Sequence, residues 1–395
     1  MNPTCLEYDF VAPRQILFGW GRRQEAGAAA RALGRRALLV FGAKRLAEGE
    51  AGAELAANLR AAGIEPLVLE TIEHEPEVAD VDRVAKRLRN EGIRGDDFLL
   101  AMGGGAAMDL AKAVAAMAVC DESSTVADYL ENVGRNLKLR QTPLPLMAMP
   151  TTAGTGAEAT RNAVISSYDP PFKKSLRDTR LLPQIALVDP ELCVTAPPAV
   201  TAHSGMDAIT QCFESFLSRK AKPIPQTLAM QGLRLAIPAI AEAVHNGALR
   251  PAREAMSHAA LLSGMALANS GLGFAHGVAP ALGIHCRVPH GLACAVLLPA
   301  ALKVNRGVRL DELARLGHLL FGARFRQSPE AAADMLIEKV EQLCRQVGVP
   351  QRLSELGVRR EQIPALVKSS RGASMSGNPR ELSDDELAVI LEDLL

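Results

Sequence analysis

The sequence lacks a net charge and has few aromatic rings. Among its 395 residues, 44 Lys and Arg balance 44 Asp and Glu, and aromatic residues make up 4%. A neutral balance gives no overall attraction to nucleic acid or to an anionic membrane, so we expect neither as a partner. The 48% hydrophobic content argues against extended disorder. Because rings are scarce while Ala, Leu and Gly are plentiful, close helix packing is favoured over an all-β sandwich.

Paired cysteines and an apolar leader are also missing. The seven cysteines are scattered and form no CxxC pair, which is typical of reduced thiols in a cytoplasmic protein. The segment from Met1 to Arg14 carries Glu7 and Asp9 and no apolar run, so we expect no signal peptide. Together these features predict a cytoplasmic location.

Charged residues are missing from one long segment, residues 255–286. A membrane-spanning helix needs roughly 20 predominantly apolar residues. Here Asn269, Ser270, Pro280, five glycines and three histidines interrupt the apolar residues. We therefore interpret the segment as a buried helix followed by a buried turn, and not as a membrane span.

Apolar runs and helical patterns alternate in the first half of the chain. This alternation predicts parallel strands joined by crossover helices. The expected strands are residues 37–41, 66–69, 98–102, 144–149, 163–167 and 185–188. The expected helices are residues 22–33, 47–62, 81–88 and 106–119.

Helical periodicity dominates the chain from Asp189 onward. Residues 383–386 form a capping box, which predicts a last helix near the C-terminus. At about 100–200 residues per domain, we expect two domains. The first is a Rossmann-like parallel-sheet domain over residues 1–188, and the second is a helical-bundle domain over residues 189–395. No low-complexity linker separates them, so the boundary is expected to be a packed hinge.

Three consecutive glycines, Gly103, Gly104 and Gly105, lie between a predicted strand and a predicted helix that carries Asp109. Without Cβ atoms the backbone can turn sharply and approach a ligand closely. The free N–H groups and the dipole at the helix start favour an anion such as a pyrophosphate. A tight turn without a ligand is the alternative, because the spacing is not that of the GxGxxG fingerprint.

A second loop, residues 150–158, also follows a predicted strand and contains Thr151, Thr152 and Thr155 with two glycines. Hydroxyls and free amides suit a phosphate or a ribose, while a Thr-rich helix cap is the alternative. Two such loops at the carboxyl ends of parallel strands mark the place where α/β sheets bind ligands.

The first predicted strand ends at Gly42, which leaves space for a nucleotide, and Lys44 and Arg45 follow it. Many NAD-binding sheets have an acid at this point, which holds the ribose hydroxyls. Positive charge instead favours a 2′-phosphate and hence NADP. The alternative is that Lys44 and Arg45 lie at the solvent-exposed start of a helix and bind no phosphate.

Asp207, Gln211 and Glu214 follow one another at i, i+4 and i+7, on one face of a predicted helix. Burying such a stripe is costly without a partner, so a surface-facing stripe is the alternative. Two histidines in turns of small residues, His276 and His290, lie within or beside the charge-free segment and could supply that partner.

Imidazole and carboxylate groups together suit Fe²⁺ or Zn²⁺, which would polarise an alcohol or carbonyl oxygen. His276 and His290 are also the candidates for proton transfer. The alternative is that both histidines are ordinary core residues with their hydrogen bonds satisfied. Spacing alone also allows His203, His258 or His285 to take the place of either one in the site.

These motifs resemble the iron-containing (group III) alcohol dehydrogenase family. GGGAAMDLAKA at 103–113 resembles the family's phosphate loop, and PTTAGTGAE at 150–158 is similar to its PTTAGTGSE signature. Residues 205–211, 275–283 and 288–299 resemble its metal-binding segments. The resemblance runs in order along nearly the whole chain. It implies a dinucleotide-binding α/β domain and a helical domain with the active site between them, similar in fold to glycerol dehydrogenases and dehydroquinate synthases.

The resemblance also implies roles for individual residues. The positions that it assigns to the cofactor are Gly42, Gly103, Gly104, Gly105, Asp109, Thr151, Thr152 and Thr155, with Lys173 preferred over Lys174 at the ribose. Those that it assigns to the metal are Asp207, His276 and His290, with Gln211 at the fourth position.

Two positions depart from the family pattern. Gln211 stands where the family usually has a fourth metal-binding His, and an amide oxygen coordinates Fe²⁺ or Zn²⁺ more weakly than imidazole does. Pro280 stands where a second His is often found near the substrate. The site is therefore expected either to bind a metal or to bind a polar substrate directly through Gln211 and the histidines.

The activity implied is that of an NAD(P)-dependent alcohol dehydrogenase or aldehyde reductase, with NAD or NADP and a divalent metal, acting on a small alcohol or aldehyde. We also expect a homo-oligomer, namely a dimer. One alternative is a metal-independent oxo-acid reductase resembling maleylacetate reductases. Another is a catalytically weakened nucleotide-binding or assembly protein. The 150–158 motif argues against a lyase of the dehydroquinate synthase type.

Overall fold

The computed structural model describes residues 7–322 and 328–395. Its strands are β1 (Gln15–Phe18), β2 (Arg36–Phe41), β3 (Glu65–Thr71), β4 (Asp97–Gly103), β5 (Leu146–Pro150), β6 (Asn162–Tyr168), β7 (Pro171–Arg177) and β8 (Ile185–Val188). Six of them form one parallel sheet in the order β1-β8-β5-β4-β2-β3. The predicted α/β domain with a parallel sheet is confirmed.

Helices cover both faces of this sheet. They are α1 (Ala26–Ala30), α2 (Lys44–Ala47), α3 (Glu50–Ala61), α4 (Val78–Glu91) and α5 (Gly105–Met117). Side chains alternate along β2, so that Leu38 and Val40 pack with α4 and α5, while Leu39 and Phe41 pack with α1 and α3. Because both faces are covered, the central strands are continuous apolar runs that the sequence makes easy to recognise.

The strand expected at residues 163–167 does not join the parallel sheet. It is β6, which pairs antiparallel with β7, a strand that was not expected. Only Asp169 and Pro170 lie between the two strands, and a parallel connection would need about a dozen residues or more. This hairpin packs against α5 and against a helix of the second domain.

The second half of the chain is helical, as predicted. Its helices are α6 (Pro198–Leu217), α7 (Pro223–His245), α8 (Arg250–Ser270), α9 (Phe274–Cys286), α10 (His290–Asn305), α11 (Leu310–Phe321), α12 (Pro329–Gln346), α13 (Ile363–Ser369) and α14 (Asp384–Asp393). Ser383 caps α14 in the predicted capping box. Within the described ranges, no helix combines the length and the apolar character that crossing a membrane requires.

The buried turn expected within residues 255–286 is instead a second helix, α9. Gly271 adopts a positive φ of 103° and ends α8. The Glu214 carboxylate then accepts hydrogen bonds from the N–H groups of Gly273 and Ala275 at 3.1 and 2.6 Å. A carboxylate from another helix therefore caps α9, and sequence periodicity cannot detect such a cap.

The last strand of the sheet ends at Val188 and the first long helix begins at Pro198. The boundary predicted between residues 188 and 189 falls at the end of that strand. The six cysteines in the described residues are free thiols, as expected, and Cys5 lies outside the described residues, together with residues 1–6 of the segment assessed for a signal peptide.

Candidate active site

A cavity of about 510 Å³ opens between the two domains. The wall from the α/β domain includes Gly105 and Asp109 at the start of α5, and the β6–β7 hairpin contributes Lys173. The wall from the helical domain includes His276 and His290. The structure therefore places the predicted phosphate turn and the predicted metal histidines around one space, at the carboxyl ends of the parallel strands.

The glycine turn is shaped by close backbone contacts. A Cβ atom added at Gly103 would lie 2.8 Å from the Cα of Gly42, so these two glycines allow the ends of β4 and β2 to touch. A Cβ atom at Gly105 would lie 2.8 Å from Cγ2 of Thr155. Gly104 faces Thr152, whose Oγ1 would be 3.3 Å from an added Cβ. The two predicted loops are therefore in contact with each other.

The threonine loop leads into a single 3₁₀ turn, Ala157–Ala159, and not into a long helix. The N–H of Thr151 donates to the carbonyl of Gly103 at 2.9 Å, which ties the start of the loop to β4. Gly156 has a positive φ of 59°, and an added Cβ would lie 2.5 Å from the Cα of Gly264 on α8. The loop is thus fixed against both domains.

Lys112, which was not given a role from the sequence, holds this loop in place. Its buried Nζ donates to the carbonyls of Ala157 and Asn162 at 2.6 and 3.0 Å and to Oγ1 of Thr160 at 2.9 Å. Asp109 lies 3.8 Å from Nζ. Burial, against the attraction of that carboxylate, lowers the pKa of Lys112 to about 8. The sequence signal that could have revealed this role is that Lys112 is the one Lys in an Ala-rich predicted helix.

Asp109 also anchors the hairpin, because its Oδ2 accepts the N–H of Val164 at 3.1 Å. Burial raises the pKa of Asp109 to about 6, and the Lys112 cation opposes that rise. The side chain lines the cavity. Asp109 can therefore face a cofactor while fixing the edge of the site.

The polar stripe of α6 is buried, so the surface-facing alternative does not apply. Asp207, Gln211 and Glu214 are 1%, 3% and 5% exposed. His276 lies between the two acids: its Nε2 is 3.1 Å from Oδ1 of Asp207, and its Nδ1 is 2.7 Å from Oε2 of Glu214. The histidine is therefore the buried partner that the acidic stripe requires.

His290 and Cys294 complete the group. His290 begins α10, and Cys294 lies one turn further on. The carboxylate of Asp207, one ring nitrogen each of His276 and His290, and Sγ of Cys294 lie within 4.8 Å of one another. Cys294 was not identified from the sequence, although the i, i+4 spacing from His290 was a signal that it shares a helix face.

Gln211 is held differently from the three predicted partners. Its Oε1 accepts a hydrogen bond from Oγ of Ser263 at 2.7 Å, and its Nε2 donates to the carbonyl of Thr155 at 3.2 Å. The side chain therefore links α6 to α8 and to the threonine loop. Coordination of a metal by Gln211 stays a prediction.

The two histidines have opposite electrostatics. Burial lowers the pKa of His290 to about 4, and Lys173 adds to this effect while Asp207 opposes it. Burial also disfavours the charged form of His276, but Cys294, Asp207 and Glu214 outweigh it and raise the pKa of His276 well above its usual value. The surroundings therefore favour the neutral form of His290, which keeps a free lone pair, and the charged form of His276, whose ring lies between two carboxylates.

This donor set fits a divalent metal. One carboxylate, two imidazoles and a thiol are groups that Zn²⁺ and Fe²⁺ accept. Glu214 orients His276 from behind, as outer carboxylates do for metal-binding histidines. Nδ1 of His290 is buried and has no hydrogen-bond partner within the described parts of the chain, and Nε2, 3.9 Å from Oδ1 of Asp207, is the ring nitrogen that faces the cluster.

Lys173 lines the cavity and is close enough to both His290 and Asp109 to lower their pKa values. Its Nζ is 2.6 Å from Oε1 of Glu75, and its side chain is 6% exposed. Lys174 also lines the cavity, and its Nζ is 3.5 Å from the carbonyl of Arg371. Pro280 lies in α9, one turn beyond His276, and faces the same cavity.

The other predicted residues lie away from the cluster. His285 bonds Oγ of Ser369 at 2.7 Å, and the ring of His258 packs against Phe18 with centroids 4.8 Å apart. Lys44 and Arg45 begin α2 with exposed side chains. The N–H of Lys44 donates to the Glu73 carboxylate at 2.9 Å, which places one acid beside the two cations.

Two family models match most of the chain. The model described as iron-containing alcohol dehydrogenase matches residues 13–190, and the C-terminal model of the Fe-containing alcohol dehydrogenase family matches residues 201–395. The chain is 32% identical over 387 residues to 1,3-propanediol dehydrogenase of Klebsiella pneumoniae, covering 97% of each. It is 31% identical over 388 residues to NADPH-dependent butanol dehydrogenase of Clostridium saccharobutylicum, again covering 97% of each.

A solved structure agrees with these relatives. The crystal structure of a 1,3-propanediol oxidoreductase superposes with a TM-score of 0.92 at 31% identity, covering 98% of this chain and 100% of that one. Fold and relatives together define an oxidoreductase with a sheet domain and a helical domain, and the cleft between them is its candidate active site. The chain belongs to the iron-containing alcohol dehydrogenase family and is an oxidoreductase that acts on CH–OH groups.

Proposed function

We propose that the chain is an NAD(P)-dependent alcohol dehydrogenase and aldehyde reductase for a small alcohol or carbonyl substrate. The observation that carries this proposal is the single cavity lined by Gly105 and Asp109 on one side and by His276 and His290 on the other. A nicotinamide cofactor, when bound, exchanges a hydride with the reacting carbon. The chain's own task is to hold the cofactor and the substrate close enough together for this hydride transfer.

The cofactor half of the site uses the two loops and α5. The N–H groups and dipole at the start of α5 attract the pyrophosphate. The residues proposed to contact the cofactor are Gly42, Gly103, Gly104, Gly105, Asp109, Thr151, Thr152, Thr155 and Lys173. Lys44 and Arg45 favour NADP over NAD, and the butanol dehydrogenase relative is named as NADPH-dependent.

The reacting half of the site uses the donors of the helical domain. Asp207, His276 and His290 would hold Fe²⁺ or Zn²⁺, with Gln211 as the fourth ligand predicted from the sequence. Such a metal supplies Lewis-acid polarisation of the substrate oxygen. Glu214 fixes the ring of His276, and His290, which lines the cavity, is the second histidine proposed for proton exchange with the substrate.

A metal-independent reductase is the second candidate function. The side chain of Gln211 favours it, because the amide that replaces the usual fourth His is already hydrogen-bonded to Ser263 and to the carbonyl of Thr155. In this case the imidazolium of His276 would stabilise the developing negative charge on the substrate oxygen. A homodimer and a cytoplasmic location are further parts of the proposal.

The test is oxidation of NADPH and NADH with a panel of small aldehydes and oxo acids, together with metal analysis of the purified protein. The leading proposal expects turnover that a chelator abolishes and that Fe²⁺ or Zn²⁺ restores. Turnover that a chelator leaves unchanged would favour the metal-independent reductase. Failure to bind either cofactor and to reduce any substrate would overturn both candidates.

A further inference from the structure

Cys294 is fully buried next to His290, which lines the cleft, and the sequence motifs give this thiol no role. Its Sγ lies 3.7 Å from Nε2 of His290, and that nitrogen lies 3.9 Å from Oδ1 of Asp207. Atoms bonded to one tetrahedral Zn²⁺ at about 2.0–2.3 Å lie roughly 3.3–3.8 Å apart. The distance between Sγ of Cys294 and Nε2 of His290 is therefore that of two ligands of one metal ion.

Helix packing fixes Cys294 in this position. His290 and Cys294 are one turn apart on α10, so both side chains face the same direction. A Cβ atom added at Gly291 would lie 2.5 Å from the carbonyl oxygen of His203 and 3.5 Å from the Cβ of Asp207. Gly291 therefore lets α10 approach α6 closely, and this approach carries both side chains to Asp207.

Gln211 is not placed to compete for the same role. Its amide oxygen accepts from Ser263, and its amide nitrogen donates to the carbonyl of Thr155. Turning the oxygen toward a metal would break both hydrogen bonds inside a buried region, at a cost for each group left without a partner. A thiolate is also a far better ligand than an amide for Zn²⁺.

We propose that Cys294 is the fourth protein ligand of the metal site, in place of the residue at position 211, and that it makes the site prefer Zn²⁺ to Fe²⁺. This inference rests on the metal-dependent form of the proposed function. When the metal binds, the Sγ–H bond of Cys294 breaks, the proton leaves to solvent and a bond forms between Sγ and the metal. No electron is transferred in this step.

Cobalt spectroscopy tests the ligand directly, without measuring turnover. We expect the metal-free protein loaded with Co²⁺ to develop the near-ultraviolet charge-transfer band of a cysteinate–cobalt bond. Cys294→Ser should lose this band and weaken Zn²⁺ binding by at least the roughly 10- to 100-fold that loss of an outer-shell partner causes. Cys286→Ser, which removes a half-buried thiol outside the cluster, and Gln211→Ala should keep the band.

Circular dichroism of each variant checks that it is folded. Cys294→Ala provides a second variant that cannot coordinate through a hydroxyl. Wild-type protein that binds Co²⁺ without the charge-transfer band overturns the role of Cys294 and leaves the dehydrogenase proposal in place. Loss of Co²⁺ binding in Gln211→Ala but not in Cys294→Ser has the same consequence. Wild-type protein that binds no metal yet reduces aldehydes overturns this inference and the metal-dependent proposal together.

Discussion

At the scale of single residues, Glu214 connects the fold to the chemistry. Its carboxylate accepts the N–H groups of Gly273, Ala275 and His276 at the start of α9 and also bonds Nδ1 of His276. The carboxylate of Glu214 therefore caps the start of α9 and also fixes the His276 ring that faces Asp207. A cap of this kind satisfies orphan N–H donors while orienting a ligand.

Glu214→Gln should weaken Zn²⁺ binding by about 10- to 100-fold, because the ring of His276 loses the negative partner that orients it and increases its basicity. The measurement is competition for Zn²⁺ with a chromophoric chelator. Glu242→Gln, on the exposed face of α7, is the matched control and should bind Zn²⁺ like the wild type. Equal affinity in Glu214→Gln would show that the carboxylate serves only as a helix cap.

Glu158 predicts a pH dependence of stability. Burial raises its pKa to about 7, although its own backbone N–H and Lys112 favour the charged form. Between the usual pKa and about 7 the folded state binds more protons than the unfolded state, so this group's contribution to the free energy of unfolding falls as pH rises through that window. Glu158→Gln removes the titrating group and should flatten this part of the dependence.

Urea unfolding of the wild type and of Glu158→Gln at pH 5 and pH 8 measures the difference. Relative to the wild type, the variant should gain about 2–3 kcal/mol in the free energy of unfolding between pH 5 and pH 8, from the size of the shift. A difference between the two proteins that is the same at both pH values would contradict the burial of an ionisable Glu158.

At the scale of elements, the cofactor loops depend on α5 for their shape. Lys112→Met should remove the strongest donor to the carbonyl of Ala157, which keeps only contacts of 3.4 Å from Thr160, and the Nζ donor to the carbonyl of Asn162. The cost of a buried group left without a partner is about 1–3 kcal/mol. We expect a lower melting temperature and a higher KM for NADPH, because the threonine loop loses its anchor. Lys86→Met, on the exposed side of α4, is the control. An unchanged KM would mean that the loop is held by its other contacts.

The elements that were predicted correctly are those that are decided locally. The residues of β2, β4, β5 and β8 are all buried, so their apolar runs are visible without knowledge of the fold. The hairpin was not predictable in this way, because β7 is polar on one face and its position depends on packing against α5 and α9. The helical nature of α9 depends on Glu214, about 60 residues away in the chain.

The same reasoning separates the parts of the site. Asp207, His276 and His290 could be found from their chemistry and from motif spacing. Cys294 was missed, because its i, i+4 spacing from His290 has meaning only when a helix begins at His290, and a turn was expected there. Lys112 belongs to the 103–113 motif, but its role could not be predicted, because its three acceptors lie 45–50 residues further along the chain. Contacts of that range are set by tertiary structure.

At the scale of the whole molecule, the cleft is useful only while the two domains keep a fixed relation. Oδ1 and Oδ2 of Asp189, at the boundary, accept the N–H groups of Gly21 and Arg23 at 2.9 and 3.0 Å. The segment before β1 reaches across to α8, where Asn269 accepts the N–H of Val11 and donates to its carbonyl, both at 2.7 Å. The Val11–Asn269 pair ties the segment before β1 to the helical wall of the cavity, whereas Asp189 joins the ends of β1 and β8 within the sheet domain.

Asn269→Ala should therefore affect both stability and catalysis, although Asn269 touches none of the groups proposed to bind the metal. The two lost hydrogen bonds leave partly buried backbone groups of Val11 unsatisfied, which costs about 1–2 kcal/mol in total. Looser positioning of the helical wall should raise the KM values for cofactor and aldehyde together, since small misplacements at a cleft are costly. Asn246→Ala, at the exposed end of α7, is the control. Steady-state kinetics and thermal melting separate the outcomes: a lower melting temperature with unchanged KM values would mean that these contacts stabilise the chain without setting the width of the cleft.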